Sequence, residues 1–184
     1  RLGGIFHAAR SCDALNIEYA LAYYAPDYLV KDVEKFGIDV LRASSIFRLG
    51  KVDKAPNVML IGQSDESGNQ LYENILGRQA EYVSMLPFMQ VLDDFDPTDI
   101  IIFPGRYGNA GILSNLSNYE GKIHIDMNYD CDDILDLDTI KIQTVFLSTS
   151  STSFEEFFKE ISYDNLIKYF DKKNVSQLLI KENR

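Results

Sequence analysis

The chain has no tryptophan, two cysteines, two histidines and five prolines among its 184 residues, and the shortages narrow what it can be. Cys12 and Cys131 are too few for a disulfide framework, and neither stands in a metal-ligand spacing such as C-x-x-C. Both read as reduced thiols of an intracellular, cytoplasmic protein, and no signal-peptide pattern opens the chain. Positive charge is scarce as well: 18 Lys and Arg against 28 Asp and Glu leave a net charge of −10. A nucleic-acid backbone needs a clustered basic face, which argues against nucleic acid as the main partner. A phosphorylated small molecule, held by a few local groups, stays open. No apolar run comes near the roughly 20 residues of a membrane span, so no membrane partner is expected. The sequence also lacks the phosphate loop G-x-x-x-x-G-K-[ST], the G-x-S-x-G elbow and H-E-x-x-H. No nucleophile–base pair can be assembled from the residues alone.

What is present is an apolar share of 46%, a value that belongs to globular proteins, and a length that suits one domain with a sizeable core. The chain opens on Arg1-Leu2-Gly3-Gly4 without an initiator Met and ends at a strand-like run. It reads as an interior piece of a larger α/β domain.

Gly3-Gly4 leads into Phe6, Ala8, Ala9, Cys12 and Leu15 at helical spacing. A glycine pair there either lets the backbone approach a ligand or serves a loop that needs positive φ. His7, on the first turn, is placed to hydrogen-bond a ligand or to sit as a structural imidazole. Asn16–Ala25 has the β-branched and aromatic composition of a strand. A helix from Pro26-Asp27 follows, with Leu29, Val30, Val33 and Phe36 on one face and Gly37 as its stop. Ile38–Phe47 is the next expected strand. Two extended runs, Asn57–Ile61 and Gln70–Ile75, flank Asp65-Glu66-Ser67-Gly68-Asn69, a hairpin signal for a lid, a dimerisation flap or a plain edge hairpin.

Ile100–Phe103 is a continuous apolar run, as in a central parallel strand buried on both faces. A short helix is expected over Ala110–Tyr119. Ile123–Met127 and Thr144–Leu147 read as neighbouring buried strands, each ending in polar residues: Asp126 and Asn128, then Ser148 to Ser151. Ligands of open α/β sheets bind beyond the carboxyl ends of the strands, so these two ends are candidate walls of a site. Asp126 and Asn128 share a strand face and can bond a hydroxyl-bearing ligand or cap a turn. His124 lies within an apolar run and reads as core. The acidic run from Asp130 to Asp138 lacks the Gly and terminal Glu of a calcium loop and reads as solvated. Ser153-Phe154-Glu155-Glu156 is a capping box for a helix burying Phe154, Phe157, Phe158 and Ile161. A helix over Asp164–Lys173, burying Leu166, Ile167 and Phe170, and a strand over Val175–Ile180 complete the chain.

In this order the parts resemble the ribokinase-like (PfkB) family of sugar and nucleoside kinases. The features are a Gly-Gly opening, the "GID" segment at Gly37-Ile38-Asp39, a hairpin flap, the D-x-N end at Asp126–Asn128, and a strand running into a capped helix. The resemblance covers nearly the whole chain and rests on order and spacing, since no single motif is diagnostic. It implies a three-layer α/β fold, a mostly parallel sheet with helices on both faces and a small antiparallel flap at about residues 40–80. It implies transfer of the γ-phosphoryl of ATP to a hydroxyl of a sugar or nucleoside, with Mg²⁺ assisting. Gly3, Gly4, His7, Asp126 and Asn128 would meet the substrate, and the flap is a possible route to a homodimer. The family's N-x-x-E motif falls at Ser148–Ser151, where both ends are Ser, and an Arg often found after D-x-N is replaced by Asp130. The first strand, the catalytic base and the C-terminal ATP-binding part have no counterpart here, so this polypeptide is expected to be inactive as given. Two further readings stand beside the kinase: a lapsed sugar- or nucleoside-binding relative, and another sugar- or nucleotide-processing α/β enzyme with a similar layout.

Overall fold

The structure, a computed structural model, describes residues 4–53, 59–64, 70–74, 81–103, 116–127, 140–149, 154 and 158–182. It divides into two units, Arg1–Leu60 with Asn74–Pro97 and Ile61–Glu73 with Thr98–Arg184.

In the first unit, α1 (Gly4–Leu15) buries Phe6 and Ala9, as the spacing predicts, while Leu15 remains 69% exposed. The helix ends on Asn16, whose φ of 54° is the left-handed conformation that Asn tolerates better than most residues. That turn delays β1, which spans Ala20–Ala25 rather than starting at Asn16. Leu21, Tyr23 and Ala25 point into a core shared with Phe6, Ala9 and Val33. A parallel partner strand requires a crossover. The turn Asp27–Leu29 and α2 (Val30–Asp39) supply it, and β2 (Ser45–Asp53) then pairs parallel with β1.

The expected stop at Gly37 and strand over Ile38–Phe47 are corrected here. Gly37 lies inside α2 and is buried, because a Cβ there would collide with the Ile46 side chain of β2. Its smallness serves close packing of helix on strand, not chain reversal. β2 also pairs antiparallel with β5 (Glu81–Ser84), giving the order β1-β2-β5. α3 (Phe88–Phe95) follows, burying Val91 and Leu92. The β1–β2 register slips between Tyr23 and Tyr24, so that Tyr24 faces Gly50. Gly50 has no room for a Cβ between the Val83 carbonyl and the Tyr24 ring.

The two strands of the expected hairpin, β3 (Met59–Ser64) and β4 (Gln70–Asn74), do pair with each other. Their connection, 65–69, lies outside the described residues.

The second unit holds a four-stranded sheet in which every pairing is parallel: β6 (Asp99–Ile102), β7 (Lys122–Met127), β8 (Ile142–Ser148) and β9 (Val175–Lys181), in that order. Ile123, Ile125 and Met127 of β7 and Val145 and Leu147 of β8 are sealed on one face. α4 (Tyr163–Lys172) packs against β9 and buries Leu166 and Phe170, and Phe158 stacks at a tilt on Phe170. The opposite face is half open, with Ile101, Phe146 and Leu179 exposed.

Three expectations change in this unit. Ile100–Phe103 is not a central strand: β6 lies at one end of the described sheet and Ile101 is 49% exposed. An apolar run does not reveal whether it is covered on one face or two. Ile167, expected in the core, is exposed because it falls on the outer side of α4. The helix itself starts one residue early, at Tyr163, capped by the Ser162 hydroxyl, which accepts from the Asn165 N–H at 3.4 Å. The capping box residues Ser153, Glu155 and Glu156, Phe157, most of the helix expected over Ala110–Tyr119, the acidic run and Cys131 lie outside the described residues. No helix among the described residues is long and apolar enough to cross a membrane.

Candidate functional site

β7 and β8 are neighbours, parallel and in step: Asp126 stands opposite Phe146 and Met127 opposite Leu147. Their carboxyl ends are therefore side by side, as the sequence predicts. Alternation along the strands sends Ile125 and Met127 to the sealed face and Asp126 to the half-open one. Phe146 and Ser148 share that half-open face with Asp126. Ser148 lies two residues beyond the position opposite Asp126, so strand geometry separates the two Cα atoms by about 8 Å. Both side chains are half-buried.

Two features of this face are missed by reading the sequence. Lys181 of β9 stands opposite Ser148, and its carbonyl accepts from the Thr149 N–H at 3.0 Å. An exposed ammonium is thus placed one strand from the Ser148 hydroxyl. The signal was available in the sequence only to someone who knew the β8–β9 register.

The second feature is His124, read from sequence as core. It is instead 19% exposed, with Nε2 3.1 Å from Asp99 Oδ1 on β6, and Asp99 is itself 45% exposed. The Thr98 hydroxyl donates to the other Asp99 oxygen at 2.9 Å. The bond from His124, first, and that from Thr98 hold the Asp99 carboxyl below its usual range. His124 escapes the core because it occupies the same alternating set as Lys122 and Asp126, off the sealed face. It lies two residues before Asp126, roughly 7 Å along the strand. Asp99, His124 and Asp126 thus form a polar line on the half-open face, with Thr144 opposite His124 and bonded to Gln177 at 3.3 Å.

The other sequence-predicted residues are placed as follows. Gly4 is the first residue of α1, and His7 is exposed in its first turn, its carbonyl accepting from the Ser11 hydroxyl at 3.1 Å. Both belong to the first unit, whereas Asp126 and Ser148 belong to the second. Gly3, Asn128 and Ser151 lie outside the described residues. Of the predicted set, the structure brings together Asp126 and Ser148.

Chemically, Asp126 offers an acceptor, Ser148 a donor or acceptor and Lys181 a cation. That combination suits a small molecule carrying hydroxyls. Among the described residues no three His, Cys, Asp or Glu side chains gather as metal ligands. The strand order β6-β7-β8-β9 contains no reversal, so the described sheet has no topological switch point, the usual location of a crevice in such sheets. Comparisons with known protein families, with curated proteins and with solved structures find no match to this chain.

Proposed function

We propose that the chain is part of a PfkB-type kinase acting on a hydroxyl of a sugar or nucleoside, with the ends of β7 and β8 as part of its substrate site. The observation that supports this reading most is the in-step pairing of β7 with β8, which puts Asp126 and Ser148 on one face at adjacent strand ends. The separate β3–β4 pair is compatible with a substrate-covering flap. In such a kinase ATP with Mg²⁺ supplies the phosphoryl group and neutralises its charge. Asp126 is the carboxylate that β7 brings to the described strand ends, and it would be within the one or two that Mg²⁺ takes beside its waters and the nucleotide's phosphates. What this chain's own residues do is orient. Asp126 accepts a hydrogen bond from a substrate hydroxyl, and Ser148 bonds a second polar group on the same face.

Ser148 also favours the second reading, a ribokinase-like protein that binds a sugar or nucleoside without turning it over. A hydroxyl stands there in place of the carboxamide that opens the resembled family's N-x-x-E motif. Calorimetric titration of the complete protein with pentoses, hexoses, nucleosides and ATP–Mg²⁺, combined with a search for phosphorylated product, separates the readings. Binding with turnover supports the kinase, and binding without turnover supports the binder. No saturable binding by any sugar or nucleoside defeats the site assignment.

A further inference from the structure

We draw no further inference here: the strongest candidate, the unpartnered buried Tyr23 hydroxyl on β1 and Arg48 Nε on the paired strand β2, has nothing in the structure to show what would meet it.

Discussion

At the scale of single residues, two tyrosines in the first unit separate burial from satisfaction. Tyr19 donates its hydroxyl to Asp13 Oδ1 at 3.0 Å, and the same oxygen accepts from the Arg42 N–H at 3.1 Å. Tyr23 is equally buried, but its hydroxyl has no partner. A made hydrogen bond contributes and an unmade buried one costs, so the two phenylalanine variants should differ. Tyr19→Phe is expected to lower stability by about 1–2 kcal/mol, whereas Tyr23→Phe should leave it unchanged or raise it. Urea midpoints of both variants decide, and an equal loss in both would show that the Tyr23 hydroxyl is bonded in solution.

Tyr19 also carries a pH signature. Burial first, then the bond to Asp13, pushes its phenol from 10.0 up to about 12. The folded state therefore holds the proton after the unfolded chain has lost it. The stabilisation is complete below pH 10 and is lost as pH rises towards 12, at no more than about 1.4 kcal/mol per pH unit. Tyr19→Phe should flatten the loss of stability between those limits. Asp99 behaves oppositely. Its lowered carboxyl supports the fold above the ordinary value of 3.8 and ceases to do so as pH falls through the depressed value. His124→Asn should thus bring acid unfolding to a higher pH, and an unchanged acid midpoint would mean the pair contributes nothing.

At the scale of elements, the helical spacing of α1 and α4 was legible because each helix buries one side, and β1 and β7 were legible as strands from their β-branched, aromatic and apolar composition. What was not legible is pairing and neighbourhood. Gly37 has the sequence appearance of a helix stop, yet only the position of Ile46 on β2 explains it. Ile100–Phe103 looks central because its apolar side chains do not record which strands lie beside them. His124 was misplaced for a related reason: an imidazole between isoleucines reads as core until the strand's alternation is assigned to faces. The site was legible to the same extent. The adjacency of β7 and β8 followed from their chemistry, whereas Lys181 needed a register.

The slip in the β1–β2 register, at which Leu49 of β2 is the extra residue, gives an element-scale prediction. Gly50 is held between the Val83 carbonyl and the Tyr24 ring, whose hydroxyl lies 3.3 Å from Ser84 Oγ. A methyl group at Gly50 must displace backbone on the β5 side. Gly50→Ala is expected to destabilise the first unit by roughly 1–3 kcal/mol and to raise amide exchange in β5. A variant that retained both stability and slow exchange would show that β2 and β5 are not closely paired. Arg48, two residues earlier, donates Nη2 to the Ala25 carbonyl at 3.0 Å and to the Asp27 carboxylate, fastening the end of β1 to the turn before α2.

At the scale of the whole molecule, the acidic balance leaves a small-molecule ligand open, and the decisive question for the proposed kinase is whether the strand ends recognise one. On the proposed reading, Asp126→Ala would remove a bond from a substrate hydroxyl to a charged acceptor, worth roughly 1.5–3 kcal/mol. For the complete protein this corresponds to about a tenfold or greater weakening of sugar or nucleoside affinity, with ATP affinity little changed. Asn128→Ala is expected to follow the same pattern. Ser148 and Ser151 provide the opposing arm. If nucleotide occupies this end of the sheet, Ser151→Glu adds a carboxylate and should steepen the dependence of nucleotide binding on Mg²⁺. A metal titration that does not respond would remove nucleotide from these strand ends. Loss of sugar affinity in Asp126→Ala together with a silent Ser151→Glu would favour the binding protein over the kinase. Unchanged affinities in both Asp126→Ala and Asn128→Ala would move the substrate away from β7 altogether.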